Sequence, residues 1–272
     1  MPQSSPTVNL VNRYIKGIKN DKKLKNFKKI IDKHSNRWDN NNVKKERLKT
    51  MKKLMIAVLD TETCPLANIE KVDAHNMLTY DLGYSIVDLY GNVYLERSFV
   101  IVNTFFGEEE KMTSSYYANK LPQYRKDMAN GSRLPRTWKE VREIIAEDFA
   151  EFGVSVVCAH NAYFDYTTLN ITKNYFNENY ILPYGLEWWD TMKMARTSIA
   201  TKKSYIKFCE ENNFLTKFGK PQLKAEVLYK YLTNNLDFEE SHTGLEDVKI
   251  EREILWACVK MHKKMTRKLW ND

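Results

Sequence analysis

The chain reads as an α/β domain behind a basic, helix-forming N-terminal extension, and three observations predict this. Met55–Leu59 and Val154–Ala159 are short apolar runs rich in β-branched residues, the pattern of strands buried on both faces. Trp138–Phe152 and His242–Leu269 repeat apolar residues every three or four positions, the pattern of helices with one buried face. Charge is also unevenly placed: residues 1–52 hold fifteen Lys and Arg against four Asp and Glu, while the whole chain of 272 residues carries only +8. The boundary is therefore drawn at 52/53, with the folded domain over 53–272.

A positive arm seeks phosphate, or simply keeps a chain soluble. Residues 8–31 place Val8, Val11, Tyr14, Ile15, Ile18, Leu24, Phe27, Ile30 and Ile31 near helical spacing, and Asp39–Asn42 breaks the pattern. Three roles remain open for the arm: gripping nucleic acid, docking on a partner such as a polymerase or other replication protein, or packing on the main body. The hydrophobic content of 43% suffices for a sizeable core. No apolar window is long enough to span a membrane. Cys64, Cys158, Cys209 and Cys258 form no CxxC pair and read as reduced thiols of a cytoplasmic protein.

Taken in order, the first strand runs straight into Asp60 and Glu62. Side chains alternate along a strand, so these two carboxylates share a face. A hard divalent cation between them would relieve their repulsion, although a strand end emerging into solvent has the same composition. Thr63–Asn76 reads as a loop, and Leu82–Leu89 and Val93–Val102 as strands joined by a turn at Tyr90-Gly91-Asn92. Thr104–Arg136 shows little periodicity and reads as a long inserted loop. Its Tyr116, Tyr117, Tyr124, Arg125 and Arg133 suit base stacking beside phosphates as well as they suit an ordinary solvated insertion.

Thr137 with Glu140 has capping-box spacing, and Gly153 ends the helix they begin. His160–Asp165 opens a helix to about Phe176. Trp188–Ile199, Lys203–Asn212 and Gln222–Leu232 also read as helices, and His242–Leu269 as a long terminal one. His160 reads as structural, Asp190 as a cap, and His34, His75 and His262 as surface residues.

Acidic clusters thus stand at the ends of three elements: Asp60-Thr61-Glu62, His160-Asn161-Ala162-Tyr163-Phe164-Asp165, and His242 with Asp247 five residues on. Converging carboxylates of this number call for about two divalent cations, the arrangement that clamps attacking and leaving oxygens in phosphoryl transfer.

In this order and at these separations the clusters resemble the three exonuclease motifs of the DnaQ-like DEDDh family. The resemblance runs from about Lys53 to Met261, and Trp189-Asp190-Thr191 adds to it. It implies a ribonuclease H-like mixed sheet flanked by helices, and a 3′→5′ exonuclease that takes single-stranded DNA or RNA 3′ ends, DNA favoured, to 5′-mononucleotides. It further implies two Mg²⁺ or Mn²⁺ ions held by Asp60, Glu62, Asp165 and Asp247, with His242 as general base. Thr61, Thr63 and Asn161 would support the ligands or position substrate. Many relatives have Thr-Gly after Asp-Thr-Glu. Cys64-Pro65 stands here instead, removing an N–H and fixing φ, so the family's contact to the terminal nucleotide is not carried over. An RNA-trimming enzyme shares all three motifs, and a binding module without turnover is the alternative outside enzymes.

Overall fold

The computed structural model describes residues 53–66, 73–114 and 118–270. The N-terminal extension and its proposed docking roles lie outside them, as do His34, Tyr116 and Tyr117. Leu54–Asp272 forms one compact unit.

Its centre is a six-stranded mixed sheet in the order β4-β3-β2-β1-β5-β6. The strands are β1 (Met55–Pro65), β2 (Met77–Asp88), β3 (Val93–Ile101), β4 (Leu134–Arg136), β5 (Val154–Ala159) and β6 (Glu187–Asp190). β1 pairs antiparallel with β2 and parallel with β5, so the strand bearing Asp60 and Glu62 is central and buried on both faces. Its odd positions Met55, Ala57 and Leu59 pack beneath α4 (Trp138–Phe152) and α5 (Tyr163–Tyr175). Its even positions Ile56 and Val58 face α6 (Thr191–Thr197), α7 (Lys203–Glu211), α8 (Ala225–Thr233) and α9 (Gly244–Lys260). Each such fully buried aliphatic side chain contributes about 1.5–3 kcal/mol.

Local signals place the elements. The Thr137 hydroxyl accepts from Glu140 N while the Glu140 carboxylate accepts from Thr137 N, a complete capping box, and Gly153 at φ +66° closes α4. Asp190 caps α6 through Met192 N and Lys193 N.

The structure corrects four expectations. β1 continues through Glu62 to Pro65, pairing with Met77–Leu82 across a bulge at Glu62/Thr63, so Thr63–Pro65 is strand rather than loop. Trp188-Trp189-Asp190 is strand, because β6 pairs parallel with β5, and only Thr191 onwards is helical. The terminal helix stops at Lys260. Beyond it the chain turns back along β6, with Asp190 N donating to the Arg267 carbonyl and Leu269 N to the Trp188 carbonyl, both at 2.8 Å.

The segment after β3 is not a structureless loop. It folds into α1 (Val102–Phe105), α2 (Glu109–Ser114), α3 (Leu121–Asn130) and β4. α3 packs Tyr124 against Tyr80 and Phe105 in a small core of its own with Cys64, Leu78 and Met112. Tyr124 and Arg133 are buried there, so these two cannot stack on bases. All four cysteines are buried free thiols. No helix among the described residues is long and apolar enough to cross a membrane.

Candidate active site

Three carboxylates meet where β1 emerges beneath the start of α9. Asp60 and Glu62 continue the even face of β1 and look toward the α9 layer. Asp247 arrives from the first turn of α9, its N–H bonded to the Thr243 carbonyl at 3.0 Å. Two glycines allow this approach. Gly83 pairs with Asp60 across the sheet, and a Cβ on it would stand 2.3 Å from Leu245 N. A Cβ on Gly244 would stand 2.9 Å from Gly83 N, so the helix begins directly on the sheet backbone. One oxygen each from Asp60, Glu62 and Asp247 then lies within 4.8 Å of the others.

Asp165 reaches the same strand from the opposite layer. Its Oδ1 accepts from Thr61 N at 3.1 Å and from Thr61 Oγ1 at 2.8 Å. Thr61, an odd position of β1, thereby joins the two sides of the site. Asp165 is not one of the three converging carboxylates, but its charge acts on Asp60.

The electrostatics fit a cation. Burial, then Glu251, Asp165, Glu62 and Asp247, push the Asp60 carboxyl well above its usual range. Burial, then Asp247, does the same to Glu62. Burial raises Asp165 to about 7, and burial followed by Glu240 raises Asp247 to about 8. Asp247 Oδ1 is buried without a hydrogen-bond partner among the described residues. An all-oxygen set with an orphaned buried acceptor is what a hard divalent ion would complete.

His242 stands just before α9 at φ +52°, its ring 39% exposed and its Nδ1 3.9 Å from a Glu240 oxygen. Burial, then Lys120, lowers its pKa, so the imidazole is neutral at neutral pH. Asn161 adopts φ +65°; its N–H donates to Asp190 at 3.3 Å and its carbonyl accepts from Phe164 N at 2.8 Å. The contact is through backbone, and the side chain is exposed. Thr63 is buried in the β1–β2 ladder opposite Thr79, just past the bulge. The His160 ring bridges the Thr191 hydroxyl and the Leu223 carbonyl, a structural position.

Sequence reading passed over Glu251. It is buried one turn beyond Asp247, and it accepts from His160 N at 3.1 Å. The four-residue interval on one helix face was its available signal. It also passed over Asp81, fully buried on β2 opposite Glu62. Nothing in the local sequence marks Asp81, whose partners come from three other segments.

No protein-family model matches the chain, and no curated protein sequence does. Among solved structures, the nuclease domain of 3′hExo, described as a DEDDh family member bound to rAMP, aligns with a TM-score of 0.52 at 14% identity, covering 80% of this chain and 99% of that one. A full-length 3′-exonuclease aligns with a TM-score of 0.48 at 13% identity, covering 80% and 88%. E. coli exonuclease I in complex with a 5cy-dT13 oligonucleotide gives 0.45 at 14% identity, covering 78% of this chain and 41% of that one. At such identities likeness speaks to fold alone, and the first of the three carries it. The chain shares the fold of that 3′hExo nuclease domain, a mixed six-stranded sheet flanked by helices.

Proposed function

We propose that the protein is a metal-dependent 3′→5′ exonuclease that hydrolyses terminal phosphodiesters of single-stranded nucleic acid and releases 5′-mononucleotides. The observation carrying this reading is the convergence of Asp60, Glu62 and Asp247 within 4.8 Å. Asp165 is held beside them by Thr61 on the same fold.

Asp60, Glu62 and Asp247 would hold one divalent ion, Mg²⁺ or Mn²⁺, and Asp165 with Asp60 a second. Such ions, when bound, offset the charge that develops on the attacking and leaving oxygens. His242 would be the general base: a neutral, partly exposed imidazole just before α9, the helix that carries Asp247, would accept the proton of the attacking water. Thr61 fixes the rotamer of Asp165. Thr63, in β1 just past Glu62, and Asn161, in the turn after β5, would position the 3′ nucleotide.

Single-stranded DNA is the first substrate of this reading. An exoribonuclease is favoured by one observation, that the 3′hExo domain is described with rAMP bound. A gel assay with 5′-labelled DNA and matching RNA, Mg²⁺ or Mn²⁺, an EDTA control and Asp165→Ala tests both. The expected result is a metal-dependent ladder from the 3′ end, absent in the variant, and the faster substrate decides the sugar. No cleavage of either strand by folded protein would leave a nucleic-acid-binding module in its place.

A further inference from the structure

We propose that Arg133 is a positioning residue for this site: its guanidinium, delivered by the segment inserted after β3, fixes the turn that carries His242 and Asp247. The inference rests on the exonuclease reading above and assigns the inserted segment a part in it.

Arg133 is 4% exposed, and each of its nitrogens serves a different element. Nε donates to Asp127 Oδ2 at 3.1 Å, locking the end of α3. Nη1 donates to Asp81 Oδ2 at 3.0 Å on β2 and to Ser98 Oγ at 3.1 Å on β3. Nη2 donates to Glu246 Oε2 at 2.7 Å in the first turn of α9. The Tyr124 ring lies beneath the guanidinium carbon at 4.8 Å, and its hydroxyl donates to Asp81 at 2.6 Å.

Gly244 N donates to the same Asp81 oxygen at 3.0 Å. The glutamate that Arg133 grips also accepts from the Thr243 hydroxyl at 2.8 Å. Thr243, Gly244 and Glu246 are therefore all tied, directly or through Asp81 and Glu246, to one buried cation, and they are three of the four residues between His242 and Asp247. Asp81 sits opposite Glu62 across the β1–β2 ladder, so the same contacts brace the strand supplying the other carboxylates. A planar fork of five donors can hold three carboxylates on three elements at once. A lysine ammonium keeps the charge but cannot reach them together.

Arg133→Lys and Glu246→Gln test the assignment. Glu246 is 44% exposed, so its variant keeps the buried Arg133–Asp81 pair and the fold. Both should lower kcat by about 10- to 100-fold, with KM unchanged within about twofold, the scale on which groups supporting metal ligands act. In metal-free protein both should speed amide exchange at residues 244–247 while leaving β5 and α4 protected. A merely structural role would lower Tm and leave kcat intact well below it.

Wild-type kcat in both variants, or unchanged exchange at 244–247, overturns the proposal. Faster exchange in the variants of a wild-type protein that cleaves neither strand would uphold the clamp and overturn the exonuclease reading beneath it.

Discussion

Asp247 brings to the site a carboxylate with one oxygen buried and unbonded, on a helix turn that also carries Glu246 and, one turn on, Glu251. Removing its charge has opposite effects on stability and turnover. Asp247→Asn should cut turnover by more than about 100-fold, since a ligand counts for more than the groups supporting it. Above pH 8, where Asp247 is ionised, the same change should raise the Tm of metal-free protein, because it removes one of several crowded charges. A fall in metal-free Tm would show instead that the repulsion is already relieved. Thr61→Val tests the neighbouring contact. It keeps shape and the backbone donor but loses the hydroxyl donor to Asp165, and should cost about 10- to 100-fold in kcat by steady-state kinetics. Asp60, Glu62 and Asp247, which the structure brings together, could be picked out beforehand because strand alternation and motif spacing are local. Arg133, Asp81 and Glu251 could not, because burial and partners give them their significance.

At the scale of elements, the seating of α9 on β2 decides the geometry. Gly83→Ala would drive a methyl to 2.3 Å from Leu245 N, and the helix must move away. Overpacking of this kind costs about 1–3 kcal/mol. Urea denaturation should register that loss together with a fall in activity, and an unchanged midpoint would mean that the helix slides freely. Thr137→Ala makes the matching control. Loss of the capping box should cost about 1 kcal/mol at α4 and leave kcat alone. α4 and β5 were read from sequence at their true bounds, because a cap, a terminal glycine and an unbroken apolar run are all local signals. β6 was taken for helix because four residues carry too little period to tell. The helices of the inserted segment were missed for the same reason, being four to ten residues long and organised around a core that only tertiary contact assembles.

The whole molecule should register the site as a pH-dependent stability. Asp165 near 7 and Asp247 near 8 lie above the ordinary carboxylate range, so the folded state holds protons that the unfolded chain has released. Their contribution is fully present below the unfolded pKa of about 4 and is lost as pH rises through 7 and 8. Thermal melts in EDTA should show Tm falling from pH 5 to pH 9. Excess Mg²⁺ should flatten that slope, with a gain of about 2.7 kcal/mol at a hundredfold excess over Kd. Parallel curves with and without the ion would argue against a metal centre.

The return of the chain along β6 has a consequence for assembly. A sheet edge with free donors and acceptors invites pairing with another molecule. Here the backbone of Asp190 and Leu269 is already engaged across that edge by the chain's own last described residues, and Trp189 and Lys268 form an antiparallel bridge. The opposite edge is β4, three residues with Pro135 at their centre. Neither flank offers a long open ladder, so the sheet is protected on both sides against lateral self-association.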